Sequence, residues 1–196
     1  MDWSNCLKER VMLDSSTLVN AKFRGAVLSG SGFDGSDLRQ ADFSRAELVR
    51  TSFRKTNMAG ANLEKVLASR ATFAGANLSG ARLVKAEFQR VVFDGADMTG
   101  ADFSDGDFHR TSFAGTKLGN ARFVETLLPR SDFRGAALAG ATMKGAYLYR
   151  ARLDAVDLTK VQDLVQDQID IACGTPETRL PEGLKAPGWW PCNSDD

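Results

Sequence analysis

Residues 74 to 103 read AGANLSGARLVKAEFQRVVFDGADMTGADF, and from Leu78 every fifth letter is Leu, Phe or Met: Leu78, Leu83, Phe88, Phe93, Met98, Phe103. Followed outward, this column runs from Leu13 to Leu158, thirty positions of which twenty-nine carry Leu, Phe or Met, with Ala68 the exception. All twelve Phe of the chain lie in it, Phe73 and Phe108 included. Two residues earlier runs a second column, Val11 to Val156, holding only Ala, Ser, Thr, Val and Gly. The remaining three columns are polar or Gly-rich.

Neither ordinary period builds an apolar face from this spacing. A helix sets residues five apart about 140° out of phase, and a strand alternates every two. Four words of five close a square of twenty, each word forming one side, with the large residue and the small one before it pointing inward. Coils then stack about 4.8 Å apart through backbone hydrogen bonds. Phe73, Leu78, Leu83, Phe88, Phe93, Met98, Phe103 and Phe108 are thus core, and the second column stays small because four large side chains crowd each coil. Gly at 75, 80, 95, 100, 115, 135, 140 and 145 falls at word ends, where a corner needs unusual backbone angles. Ala68, between Leu48 and Phe88 of the neighbouring coils, predicts a small void or a local shift turning Leu67 partly inward, so that Ala68→Leu would be neutral or stabilising.

The words AGANLSGARL, DGADMTGADF, RGAALAGATM and KGAYLYRARL resemble the pentapeptide-repeat family, whose word is A(D/N)LxX, over residues 11 to 160. The resemblance implies a right-handed quadrilateral β-helix: an all-β solenoid of about seven and a half coils, a rod of roughly 35 Å before its caps. Some members of this size bind type II topoisomerases by imitating duplex DNA and confer resistance to quinolones or peptide gyrase poisons, usually as dimers through a C-terminal helix.

The expected organisation is an N-terminal cap (1–10), a β-helix (11–160) and a C-terminal helix with a Pro- and Trp-rich capping tail (161–196). Open ends of a β-helix would pair edge to edge, so each needs a cover. At the N-terminus the column breaks at Lys8, and MDWSNCLKER would cap the first coil with Trp3. VQDLVQDQIDIACG carries Leu164, Val165, Ile169 and Ala172, the pattern of a one-sided helix stopped by Gly174. TPETRLPEGLKAPGWWPCNSDD follows with four of the five Pro, and would fold back through Leu180, Leu184, Trp189 and Trp190. ACG followed by LPEGL is similar to a tail often attached to bacterial pentapeptide-repeat proteins.

Composition narrows the function. Twenty-five basic and twenty-five acidic side chains give zero formal charge, which argues against direct nucleic-acid binding or adhesion to anionic lipid. From residue 161 onward there are 7 acids and 2 bases, leaving residues 1 to 160 at net +5. No apolar run approaches the roughly 20 residues of a membrane span. MDWSNCLKER lacks an apolar signal core, so the expectation is cytoplasmic.

Folded at twenty, the side centred on Leu48, Ala68, Phe88, Phe108, Leu128 and Leu148 ends every word in Arg: Arg50, Arg70, Arg90, Arg110, Arg130 and Arg150. Six guanidinium groups rising up one edge would bind an acidic protein or another anion. The competing reading is a solvated ladder compensated by Glu47, Glu87 and Asp107, each exposed pair being worth roughly 0 to 1 kcal/mol. Leu67, Leu127, Tyr147 and Tyr149 lie on the same side at outward positions, the residue types that anchor interfaces beside Arg. This is the expected contact face.

Catalysis finds little support. The chain has a single His, His109, so no second imidazole is available for a triad. Asp102, Asp105 and Asp107 with His109 do not match a calcium loop and fall on outward positions. Three cysteines form neither CxxC nor a zinc set. Cys6 fills a small-residue position, whereas Cys173 and Cys192 either close a loop of 18 intervening residues or remain free thiols. No cofactor is expected.

The sequence therefore points to a noncatalytic binding or scaffold protein with a protein partner, as a monomer or a C-terminal dimer. The alternative, a DNA-mimicking binder of gyrase, needs an aligned acidic stripe. Asp37, Asp97 and Asp157 with Asn57 and Asn77 are its candidates, interrupted by Lys117 and Ala137.

Overall fold

The computed structural model describes residues 1–192. The residue before each large one pairs in parallel with its counterpart twenty positions on, Asp2 with Lys22, Leu7 with Val27, Met12 with Gly32, and so up the rod to Thr142 with Gln162, except that Ala137 and Asp157 form no bridge with each other. Residues 2–161 thus make eight coils of twenty, an all-β solenoid. Each word gives the ladder one residue, turns the next inward and then reverses in a two-residue turn. Among the described residues only Leu67–Ser69 (β1) and Glu87–Gln89 (β2) extend to three-residue strands.

Every word end from Asn5 to Ala155 has positive φ, between 51° and 78°. This is the corner that the Gly-rich column anticipates, since a Cβ is disfavoured there.

Inside the rod, the period of twenty sorts the Phe residues onto opposite sides. Phe33, Phe53, Phe73, Phe93, Phe113 and Phe133 form one ladder of stacked rings with centroids 4.7–5.4 Å apart. Opposite, Phe23 stacks on Phe43 and Phe103 on Phe123, and the two sides meet edge to face, as in Phe33–Phe43 at 86°. Both arrangements suit the ring quadrupole. The small column does more than leave space. The hydroxyls of Thr51, Thr111, Thr116, Thr126 and Ser131 donate to the carbonyls of Leu28, Phe88, Phe93, Phe103 and Phe108, one coil below, at 3.0–3.2 Å. Fully buried hydroxyls are thereby satisfied.

At Ala68 the outcome differs from the expectation. Leu67 is not drawn inward; it is 47% exposed. The adjustment lies in the backbone and in Phe88: β1 and β2 pair over three positions, Ala68 opposite Phe88, and the Phe88 ring lies nearly parallel to Phe73 of the coil below (5.9 Å, 11°) and to Phe93 beside it (5.7 Å, 16°). Phe73–Phe88 is the one ring contact between residues fifteen apart, so Phe88 leans into the space a larger residue at 68 would take. Ala68→Leu should therefore destabilise by about 1–3 kcal/mol through overpacking. A denaturant midpoint equal to the parent's would show that the space is open.

The ends are also corrected. Residues 1–10 are the start of the wind and not a separate cap, because Asp2 and Leu7 pair with the next coil. Trp3 occupies a core position with its ring edge-on to Phe23 (5.9 Å), and the Lys8 ammonium lies 5.4 Å from the Trp3 centroid. The column breaks at Lys8 in sequence alone, because a lysine stands where the other words carry an apolar residue.

At the C-terminus the helix is one turn, Gln166–Asp170 (α1), with Val165 extended and exposed before it. It cannot lengthen, because Gln162 still pairs with Thr142 and Cys173 already pairs with Arg152. Ile169 turns into the core as expected, with Leu164 and Ala172 buried on either side of the helix, and Gln168 turns inward beside it: its amide donates to the carbonyls of Met143 and Ala146 (2.8 Å each) and accepts from Val165 N–H (2.9 Å). Arg179 pairs with Asp157, the Thr178 hydroxyl reaches the Leu153 carbonyl (2.8 Å), and Leu180, Leu184 and Trp190 pack on the core. Cys173 and Cys192 are joined by a disulfide, and the Trp190 indole donates to the Ala172 carbonyl (2.9 Å). Gly174 does not stop the helix; a Cβ there would collide with the Trp190 ring.

Candidate interaction face

Pairing of residues 47, 67, 87, 107, 127 and 147 through successive coils brings the six Arg word ends onto one corner. All six hold φ between 52° and 57°. An L-residue in this region pays about 1–2 kcal/mol relative to the right-handed one, a cost that glycine escapes. Arg90→Gly should consequently be tolerated within about 0.5 kcal/mol, relief of strain offsetting the added freedom of the unfolded chain. Arg90→Val, β-branched at positive φ, should lose about 1–2 kcal/mol. Urea unfolding of the two variants checks the pair; equal losses would refute the corner geometry.

Among the described residues, Arg50, Arg70, Arg90, Arg110 and Arg130 form no side-chain hydrogen bond or ion pair, and all five are exposed. Arg150 is half-buried, its guanidinium 5.5 Å from the Tyr149 ring centroid. The carboxylates expected to compensate the ladder do not reach it. Asp107 instead accepts from the His109 backbone N–H (3.1 Å), and Glu47 and Glu87 pair with no arginine. Their column precedes the corner by three residues, on the flat of the side. Just past the corner Ser52, Thr72, Val92 and Ser112 are small, with the Ser52 and Ser112 hydroxyls donating to Asp34 and Asp94, and the column continues as Asp132 and Arg152.

Of the apolar candidates, the structure groups three and separates one. Leu127 pairs with Tyr147 on the next coil, and the Tyr147 and Tyr149 rings lie parallel (6.1 Å, 13°). All three are substantially exposed. Leu67 stands three coils below with Glu87 and Asp107 between, so it is no part of that patch. Beside Tyr147 opens a cleft of about 490 Å³ lined by Lys144, Asp163, Val165, Gln168 and Ile171. The sequence did not disclose it, because it exists only where α1 sits against the last coil.

The acidic column is differently disposed. Asp37 is gripped by Arg39 (2.6 Å), Asp97 lies 3.7 Å from Lys117, and Asp157 is bonded to Arg179 (2.9 Å). The Arg39 guanidinium holds the Asp37 carboxyl below its ordinary range, and hydroxyl donation from Thr99 and Thr159 does the same for Asp97 and Asp157. These carboxylates are charged but answered locally. Asp102 accepts from Ser104 on a different side from Asp107 and His109, and among the described residues no group of three or more His, Cys, Asp or Glu is placed to hold a metal.

Residues 46–123 and 86–162 match a family model described as a pentapeptide repeat region, and residues 9–45 match one described as pentapeptide repeats (8 copies). Among solved structures, the fold is similar to a trypsin-treated form of QnrB1, a plasmid-mediated fluoroquinolone resistance protein, with a TM-score of 0.73 at 18% identity over 93% of this chain and 92% of that one. Full-length QnrB1 gives 0.61 at 19% identity over 93% of each chain. No curated protein sequence matches.

Proposed function

Because the chain belongs to the pentapeptide-repeat family, whose coils build surface and not an enclosed site, we propose that it is a noncatalytic binding protein whose Arg corner engages an acidic protein partner. The observation that carries this reading is the run of exposed guanidinium groups at Arg50, Arg70, Arg90, Arg110 and Arg130 without carboxylate partners among the described residues. Arg is the side chain best suited to bidentate recognition of carboxylates, and the Leu127–Tyr147–Tyr149 patch supplies apolar contact beside it. The test is capture from host lysate at two salt concentrations. Exposed charges are screened over about 8 Å at physiological ionic strength, so salt should weaken capture. Combined Arg90→Glu and Arg110→Glu should abolish it while leaving the melting temperature nearly unchanged. Unchanged capture by that variant would make the corner a solvated surface.

The second reading is a DNA-mimicking binder of gyrase, which the resemblance to topoisomerase-binding members of the pentapeptide-repeat family motivates. Charge counts against it: residues 1 to 160 carry net +5, and the acids of the stripe are each met by Arg39, Lys117 or Arg179. A supercoiling assay decides it. No effect of added protein on gyrase is expected; inhibition or protection that depends on Asp37 and Asp97 would reverse the ranking.

A further inference from the structure

We infer that the partner segment recognised by the Arg corner is an acidic α-helix lying along the rod axis, an inference that rests on the corner being the contact face. Spacing selects the helix. Word ends twenty residues apart rise by one coil, about 4.8 Å, so Arg50, Arg70, Arg90, Arg110 and Arg130 form a straight file of charges at that interval. A helix with acids at i, i+4, i+7 and i+11 presents one carboxylate per turn, about 5.4 Å apart. Over the four steps of the file the mismatch grows to about 2.5 Å, within the reach of flexible Arg side chains. An extended strand presents same-face residues about 6.6 Å apart and falls out of step by about 7 Å over the same length. Duplex DNA fits no better, since its phosphates wind away from a straight edge and return only after roughly 34 Å.

The ground beside the file suits a helix. Ser52, Thr72, Val92 and Ser112 form a half-buried shelf just past the corner, edged by Asp34 and Asp94, which accept from the Ser52 and Ser112 hydroxyls; these carboxylates on one side, and Glu47, Glu87 and Asp107 on the flat before the corner, would repel acids that strayed from the file. At the C-terminal end of the file, Leu127 and the parallel rings of Tyr147 and Tyr149 offer an apolar stop. The fitting helix is therefore acidic along one stripe and apolar for about one turn at one end.

The test uses the full chain and three synthetic probes: a helical peptide with Glu at i, i+4, i+7 and i+11 and a Leu pair one turn beyond; an isomer of identical composition with Glu at every second position; and a short DNA duplex. Binding is read by fluorescence polarisation at low and physiological salt, and peptide helicity by circular dichroism. The helical peptide should bind roughly tenfold or more tightly than either other probe, gain helicity on binding, and lose at least as much affinity to Arg90→Glu with Arg110→Glu. Equal binding of the isomer, preference for the duplex, or no binding of the helical peptide at low salt would each overturn the inference. If the helix alone is wrong, the charge-reversed variant still loses its lysate partner; if the face is wrong, that capture is unaffected.

Discussion

Phe93→Ala should lower the melting temperature by on the order of 10 °C, the equivalent of about 3–5 kcal/mol for a chain of this length. Phe93 is fully buried in the six-ring ladder, between Phe73 (5.0 Å) and Phe113 (5.4 Å), and it also faces Phe88 (5.7 Å). Truncation removes stacking on two coils at once. The walls are hydrogen-bonded ladders that cannot collapse inward to fill the gap, so the cavity cost is retained. Arg90→Ala, three residues away but pointing outward from the corner, should shift the melt by no more than a degree or two. Calorimetry of both variants tests the assignment of inward and outward positions; equal shifts would show it to be wrong.

Deleting residues 161–196 should leave a rod that aggregates. The deletion strips the donors and acceptors that now close the last coil: Ile171, Cys173 and Arg179 carbonyls accept from Arg150, Leu153 and Leu158 (2.7 Å each), and Gln168 and Thr178 serve the carbonyls of Met143, Ala146 and Leu153. What remains is a bare parallel edge above an apolar floor, a template for a second chain. A narrower variant separates edge from floor. Gln168→Ala orphans the buried Ala146 carbonyl, while Met143 keeps its bond from the Ala146 N–H, and should cost about 1–3 kcal/mol without exposing the edge. Sedimentation of the truncated chain as a stable monomer would refute the capping role, and a clean shift from dimer to monomer would assign the tail to self-association instead.

The five-residue period made the core legible because it repeats without insertion or deletion from Leu13 to Leu158, and the Gly-rich word ends disclosed the positive-φ corner. Other features needed coordinates for separate physical reasons. The Phe ladders obey a period of twenty hidden under the period of five, although Phe33, Phe53, Phe73, Phe93, Phe113 and Phe133 were there to be seen. Trp3 and Lys8 hid the first coil because an open end tolerates side chains that the interior would reject. The length of α1 was set by the backbone pairings on either side of it, which amphipathic spacing does not encode. On the candidate face, the period fixed which residues share the corner. It did not fix whether Glu47, Glu87 and Asp107 would meet the arginines, because that depends on the distance between corner and flat.

The claim that the Arg corner, and not the acidic column, meets the partner is tested most directly by site-specific photocrosslinking in lysate. A photoreactive residue at Gln89, exposed beside Arg90, is compared with one at Thr99, exposed beside Asp97. The account predicts a salt-sensitive crosslinked product from position 89 and none from position 99. A product from position 99 alone would contradict it.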